Sequence, residues 1–149
     1  MREVRSRSRR VALVVEDDPL FQDALKLALV EEAGFQVLTA SVPEMALPLL
    51  EAAAPEVVLL DLGLPGPSGW SVLAAMRQHP QFRTVPVLVV TAHREATPRV
   101  VSLHDPWVEL LLKPFALETL LERVEALIQR HRTWQTEASN LPGHDDPAS

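Results

Sequence analysis

The chain has 149 residues and a mass of 16.5 kDa, which is the size of one folded domain. Hydrophobic residues make up 47% and charged residues 23%, a balance that excludes disorder over the whole chain and collagen-like repeats. The lack of cysteine excludes disulfides, thiolate metal sites and a cysteine nucleophile, and it fits a reducing, cytoplasmic location.

Charge is unevenly distributed along the chain. The net charge is −6, but residues 1–10 contain five arginines and one glutamate, so they carry +4 and the remaining residues −10. We expect a basic, poorly ordered N-terminal arm over 1–10, with a nucleic-acid-binding arm as the alternative. The acidic remainder predicts no direct nucleic-acid binding by the folded domain. Because no apolar run approaches about 18 residues and no signal peptide is visible, we expect a cytoplasmic protein without membrane contact.

Short apolar runs predict the strands of a β-sheet. They lie at residues 11–15, 35–39, 57–60, 87–90 and 108–112. Most of them lack alternation of apolar and polar residues, which is typical of strands buried on both faces of a parallel sheet. Segments with helical spacing, such as Phe21, Leu25, Ala28 and Leu29, separate the runs. The pattern predicts an α/β fold, a doubly wound five-stranded parallel sheet flanked by five helices.

Capping residues and prolines predict where the helices begin and end. The first helix is expected over 19–33, because Asp18-Pro19 is typical of a helix start and Gly34 of a helix end. The second helix is expected over 43–53, with Ser41 as cap and a kink or late start at Pro48. The third is expected over 69–78, with Ser68 as cap. The fourth is expected as a short helix near Thr97-Pro98, and the fifth over 116–131. The polar segment 132–149 is interpreted as a flexible tail, which leaves a folded domain over 11–131.

Polar residues come directly after four of the predicted strands. Glu16 and Asp17 follow the first, Asp61 the third, Thr91 the fourth and Lys113 the fifth. In a parallel sheet these positions share one edge, where ligands bind near the switch in strand order. Clustered carboxylates repel one another unless a divalent cation neutralises them, and Mg²⁺ suits them because it prefers oxygen ligands.

These residues resemble the receiver domain of bacterial two-component response regulators, the chemotaxis-type, flavodoxin-like phosphoacceptors. The matching segments are VVEDDP, LLDLGLPGPSG, VTA and LKPF, and the resemblance covers about residues 10–131. The separations are typical of the family: 44 residues from Asp17 to Asp61, 30 from Asp61 to Thr91 and 22 from Thr91 to Lys113. The resemblance implies the strand order 2-1-3-4-5.

The resemblance also implies a phosphoacceptor and a metal site. Asp61 would take a phosphoryl group from a sensor histidine kinase, a histidine phosphotransfer protein or a small donor such as acetyl phosphate. Mg²⁺ would be bound directly by Asp17 and Asp61, through water by Glu16, and by the backbone carbonyl of Gly63.

Lys113 and Thr91 would complete the site and start the switch. Lys113 would pair with Asp61 or with the phosphoryl oxygens, and Thr91 would donate its hydroxyl to the phosphoryl group and move. The fourth helix, fifth strand and fifth helix would then form the surface for a downstream target or a homodimer. The chain would be a self-modifying signalling protein with at most autophosphatase activity, and not an enzyme in the ordinary sense.

Several positions depart from the usual receiver pattern. Leu110 stands three residues before Lys113, where receivers usually carry Tyr or Phe, so we expect an altered switch. Gly63 and His93 occupy the two positions that tune dephosphorylation. Gly63 has no side chain to position a water, which predicts a longer phosphoryl lifetime than in fast chemotaxis-type receivers, while His93 is expected to be merely exposed, with assistance to a water as the alternative. Trp107 is expected at the edge of the core, with an exposed partner anchor as the alternative.

Two other functions remain open. Leu110 and the short fourth helix favour a pseudo-receiver, a protein-interaction module that works without phosphorylation. An aspartyl-phosphate phosphatase or phosphotransferase would usually carry a second Asp two residues after the nucleophile, where this sequence has Gly63. Phosphorylation of Asp61 would distinguish the receiver from the interaction module.

Overall fold

A computed structural model describes residues 10–62 and 68–140 of the chain. The strands are β1 (Val11–Val15), β2 (Gln36–Ala40), β3 (Val57–Asp61), β4 (Val87–Thr91) and β5 (Val108–Leu112). The α-helices are α1 (Pro19–Ala33), α2 (Ala46–Ala53), α3 (Ser68–Gln78), α4 (Ala96–Ser102) and α5 (Leu117–Ser139), and a 3-10 helix (Pro43–Met45) precedes α2. Within the described segments, the helices are too short or too polar to cross a bilayer.

The strands form one parallel sheet in the predicted order β2-β1-β3-β4-β5. Helices α1 and α5 cover one face, and α2, α3 and α4 cover the other. Adjacent residues of β1, such as Leu13 and Val14, enter different cores although both are fully buried. Burial on both faces explains why the strand sequences are apolar without alternation.

The first helix begins and ends where its caps predict. The side chain of Asp18 accepts a hydrogen bond from the N–H of Leu20 at 3.0 Å, and Pro19 is the first helical residue. Gly34 ends the helix in the left-handed conformation, with φ of 72°. This helix places the loop after β1 at the edge of the sheet.

The segment from β2 to α2 differs from the prediction. Strand β2 begins at Gln36, one residue later than expected. The predicted cap at Ser41 is wrong, because Val42 precedes the 3-10 helix and no side chain caps it. Pro48 is the third residue of α2, where a proline removes no intrahelical hydrogen bond, so the late start of this α-helix was correctly anticipated.

The two C-terminal helices were predicted with unequal success. Helix α4 has seven residues and is short, as expected. Helix α5 continues to Ser139, so the flexible tail is wrong for residues 132–139, and residues 141–149 lie outside the described segments. Trp134 explains the extension, because its ring packs 5.4 Å from Trp107 and 5.5 Å from His131. Trp107 is 7% exposed, which confirms the expected core position.

Arg10 belongs to the folded domain and not to a basic arm. Its guanidinium donates to both carboxylate oxygens of Glu125, at 2.7 and 2.8 Å, and to the carbonyl of Ala33 at 3.1 Å. It also lies 4.3 Å from the ring centroid of Phe35. Hydrogen bonding to Glu125 raises the pKa of Arg10 above its ordinary value. The rest of the predicted arm, residues 1–9, lies outside the described segments.

Arg77 joins two loops that no sequence motif connects. Its Nε lies 2.6 Å from Oδ2 of Asp105, and its other nitrogens donate to the carbonyls of Phe82 and Val85 at 3.0 and 2.9 Å. Asp105 in turn accepts the N–H of Trp107 at 2.9 Å. The loop before β5 is therefore anchored to the end of α3 by charge-assisted hydrogen bonds.

Candidate functional site

The parallel register brings the predicted site residues to one edge of the sheet. Glu16 comes directly after β1, Asp61 and Thr91 are the last residues of β3 and β4, and Lys113 comes directly after β5. The register aligns the end of each of these strands within one residue of the end of the neighbouring strand. Strands β3 and β4 are thus one residue longer than predicted, which carries Asp61 and Thr91 into the edge of the core.

Three carboxylates form a cluster at this edge. One oxygen each from Glu16, Asp17 and Asp61 lies within 4.8 Å of the others. Glu16 is 1% exposed and Asp61 4%, whereas Asp17 is exposed. The two buried side chains and the exposed one therefore surround a position that opens to solvent on one side.

One carboxylate oxygen of Glu16 accepts a hydrogen bond, and the other is available to a cation. Its Oε2 accepts the N–H of Asp18 at 3.0 Å, while Oε1 is buried and receives no hydrogen bond from the described residues. Burial raises the pKa of Glu16 to about 7, and the neighbouring Asp61 carboxylate acts in the same direction. A buried carboxylate oxygen without a donor, in a set of oxygen ligands, fits Mg²⁺.

Lys113 supplies positive charge to the cluster. Its Nζ lies 3.3 Å from Oδ2 of Asp61, 3.7 Å from Oε1 of Glu16 and 4.1 Å from the ring centroid of Phe21. Its backbone N–H donates to the carbonyl of Thr91 at 2.8 Å, and the peptide bond between Lys113 and Pro114 is cis. The ammonium therefore faces the carboxylate that the sequence analysis assigned as phosphoacceptor.

Thr91 is fully buried at the end of β4. Its hydroxyl oxygen accepts the backbone N–H of His93 at 3.1 Å, which leaves the hydroxyl hydrogen to donate. His93 is exposed, and its Nδ1 lies 3.4 Å from Oε2 of Glu95.

Leu110 lies beside a groove between α4 and β5. The groove has a volume of about 890 Å³, and its lining includes Val100, Leu110 and Arg123. Leu110 is half-buried and packs against the core beneath α2, α3 and α4, and its carbonyl accepts a hydrogen bond from Arg123 at 3.0 Å. A leucine therefore occupies the wall of a groove that opens on the α4-β5-α5 surface.

Gly69 explains how α3 approaches Asp61. A Cβ at this position would lie 2.9 Å from Cδ2 of Leu62 and 3.1 Å from the carbonyl oxygen of Asp61. A glycine is needed because the first turn of α3 packs directly on the backbone of β3. No local sequence signal predicts this packing role, because it depends on the contact of α3 with the end of β3. Gly63, the predicted backbone ligand, lies outside the described segments together with the rest of 63–67.

Comparison with known proteins agrees with this arrangement. The family model for the response regulator receiver domain matches residues 12–125. The chain belongs to the response regulator receiver domain family.

Curated relatives of this receiver domain include bacterial transcriptional regulatory proteins. It is 39% identical to the transcriptional regulatory protein BasR of Escherichia coli (strain K12) over 132 residues, which cover 89% of this chain and 58% of BasR. It is 36% identical to KdpE of Mycobacterium tuberculosis (strain CDC 1551 / Oshkosh) over 121 residues, which cover 81% of this chain and 52% of KdpE. The chain therefore spans about half the length of the curated relatives it matches.

Solved receiver structures share the architecture. The receiver domain of the Francisella response regulator 1452 aligns with a TM-score of 0.70 and 27% identity, covering 83% of this chain and 99% of that one. The chemotaxis response regulator CheY4 of Vibrio cholerae aligns with a TM-score of 0.70 and 25% identity, covering 80% of this chain and 99% of that one.

Proposed function

We propose that this receiver domain accepts a phosphoryl group on Asp61 from the phosphohistidine of a sensor histidine kinase or a histidine phosphotransfer protein. The observation that supports this is the contact of 3.3 Å between Nζ of Lys113 and Oδ2 of the buried Asp61. A carboxylate oxygen forms a bond to phosphorus while the phosphorus–nitrogen bond of the donor breaks, and the released imidazole takes up a proton. With acetyl phosphate, a phosphorus–oxygen bond breaks and acetate leaves.

The residues around Asp61 make a weak nucleophile effective by positioning and charge. Lys113 neutralises charge on the phosphoryl oxygens, and the hydroxyl of Thr91 donates a hydrogen bond to one of them. Asp17 and Asp61 would hold Mg²⁺ directly and Glu16 through water, and the ion when bound would neutralise negative charge on the phosphoryl oxygens. The chain modifies only itself, so its turnover is limited to hydrolysis of its own acyl phosphate. A cytoplasmic location, which the cysteine-free composition favours, stays a prediction.

The response to phosphorylation is proposed to run from Thr91 to the α4-β5-α5 surface. The groove between α4 and β5 lies on that surface, and Leu110 forms part of its wall. Because Leu110 stands where receivers usually carry Tyr or Phe, the response would not depend on an aromatic ring at this position. A downstream target or a second copy of the chain would bind this surface.

The phosphoryl group is proposed to be long-lived. Gly63 offers no side chain to position a water, and His93 is exposed with Nδ1 near Glu95. A half-life of seconds in the purified protein would contradict this proposal.

Intact-mass spectrometry after incubation with acetyl phosphate tests the function. We expect a single phosphoryl adduct that needs Mg²⁺, disappears with EDTA and is missing in Asp61→Asn. The control Asp23→Asn removes an exposed carboxylate of α1 and should keep the adduct. If the wild type gains no adduct from acetyl phosphate or from a cognate kinase, the proposal is wrong and the phosphorylation-independent interaction module is favoured.

A further inference from the structure

The ring of Phe21 lies against the site, although sequence spacing marks this residue only as a core position of α1. The ring centroid is 4.1 Å from Nζ of Lys113. Phe115 meets the same ring edge-on, with centroids 5.9 Å apart and an angle of 63° between the planes. Phe21 is half-buried and also packs against the core beneath α1 and α5. The ring is thus supported by its neighbours while its face meets the ammonium.

The contact is attractive for an electrostatic reason. The face of an aromatic ring carries negative potential, so it attracts an ammonium group, and an aliphatic side chain of similar size does not. The ring does not compete for the proton that Lys113 donates to Asp61, since it attracts the whole charge of the ammonium. The side chain of Lys113 as a whole is 26% exposed.

The position of Phe21 in the first turn of α1 holds its ring in place against the ammonium of Lys113. It lies in the first turn of α1, two residues after Pro19 and three after the N-cap Asp18, which is adjacent to the metal-site residue Asp17. Lysine has a flexible four-carbon stem, so its ammonium can adopt many positions when nothing restrains it. A ring fixed to the capped helix end, 4.1 Å from the ammonium, restricts that freedom.

We propose that Phe21 is a positioning residue for phosphotransfer, whose ring face holds the ammonium of Lys113 toward Asp61. This inference rests on the proposed function of Asp61 and Lys113. It predicts that the rate of phosphorylation depends on the electron density of the ring at position 21, and not only on the space that the ring fills.

Site-specific fluorination separates these two contributions. Incorporation of 4-fluoro-, 3,5-difluoro- and 3,4,5-trifluorophenylalanine at position 21 nearly preserves the shape of the ring but stepwise weakens the negative potential of its face. We expect the rate of adduct formation from acetyl phosphate to fall at each step, by about fivefold in total. The same residues at Phe82, which stacks on His79 away from the site, should leave the rate unchanged. A flat rate across the series at position 21 overturns the inference.

A second measurement needs neither Mg²⁺ nor a phosphoryl donor. In NMR spectra of the wild type, the ring current of Phe21 should shift the ε-methylene protons of Lys113 upfield. Phe21→Leu should lose this shift and phosphorylate about fivefold more slowly, while Phe21→Trp keeps both properties, with thermal unfolding confirming that each variant is folded. An unshifted Lys113 in the wild type overturns the inference.

The two proposals fail in distinguishable ways. A wild-type protein that takes no phosphoryl group overturns the proposed function and, with it, the role of Phe21 in phosphotransfer. A wild type that is phosphorylated, combined with a flat fluorination series, overturns the role of Phe21 alone.

Discussion

The Nζ atom of Lys113 lies 3.3 Å from Oδ2 of Asp61, although 52 residues separate them in the chain. The contact exists because β3 and β5 end at the same edge of the sheet, on either side of β4. It places a compact positive charge beside the carboxylate that we propose as nucleophile, and the same ammonium is 3.7 Å from Glu16.

Removal of this charge should slow phosphorylation. Lys113→Met keeps the length of the side chain but leaves the charge on the phosphoryl oxygens uncompensated. We expect the rate of adduct formation to fall by about 100-fold in intact-mass time courses with acetyl phosphate. The chain has one other lysine, Lys26, which is exposed on α1, so Lys26→Met is a matched control. Equal rates in the two variants would exclude a role for the Lys113 charge.

Mg²⁺ should stabilise the folded protein. Because binding to the native state alone adds to stability, ion at ten times its dissociation constant should raise the free energy of unfolding by about 1.4 kcal/mol. Thermal unfolding of the wild type should therefore shift upward by about 2–6 °C on addition of Mg²⁺ and return with EDTA. Asp17→Asn should lose the shift, and Asp23→Asn should retain it. A shift of the same size in Asp17→Asn would show that the ion acts elsewhere.

The ion pair between Arg77 and Asp105 should contribute substantially to stability. Both side chains are mostly buried, with 17% and 19% exposure, and the guanidinium also donates hydrogen bonds to the carbonyls of Phe82 and Val85. We expect Arg77→Leu to lower the free energy of unfolding by about 2–3 kcal/mol in urea titrations. Arg77→Lys should recover only part of the lost stability, because one ammonium cannot reach both the Asp105 carboxylate and the two carbonyls. A double-mutant cycle with Asp105→Asn that shows no coupling would contradict this account.

His131 should make stability depend on pH. Burial lowers the pKa of this histidine below its ordinary value of 6.5, with Arg77 and Arg130 acting in the same direction. Near pH 6.5, His131 of the unfolded chain therefore binds a proton more readily than His131 of the native protein. The free energy of unfolding falls as the pH decreases through this range, and this histidine does not change it at higher pH. His131→Phe should remove this part of the pH dependence in urea titrations between pH 5 and pH 8. Replacement of the exposed His93 by Gln should keep the wild-type dependence, and an unchanged profile in His131→Phe would refute the prediction.

The last turns of α5 should stabilise the domain through Trp134. A chain ending after Thr133 loses the contacts of Trp134 with Trp107 and His131, and we expect a loss of about 1 kcal/mol in the free energy of unfolding. The emission of Trp107 should also move to longer wavelength as water reaches its ring. A chain ending after Asn140 retains these contacts and should behave like the 149-residue chain. Equal stability of the two truncated chains would show that the aromatic contact contributes nothing.

Much of the site was predictable from the sequence because its signals are local. The apolar runs, the polar residue at each strand end and the Asp18-Pro19 and Gly34 caps each depend on a few neighbouring residues. Parallel strands align their ends, so Glu16, Asp61 and Lys113 could be expected together. The order of the strands came from the resemblance to receiver domains, and the structure confirms it.

Features that depend on distant contacts could not be predicted in this way. The sequence after residue 131 lacks helical periodicity and therefore predicts a polar tail. In the structure, the ring of Trp134 packs on the ring of Trp107, which lies directly before β5. Arg10 resembles the arginines before it, but the carboxylate of Glu125 is within reach only once α5 has packed on the sheet. Local patterns therefore determined the elements and the chemical groups at the strand ends. The tertiary structure decided the contacts of long side chains such as Trp134 and Arg10. Charge pairing and ring packing act over a few ångströms in space, regardless of separation along the chain.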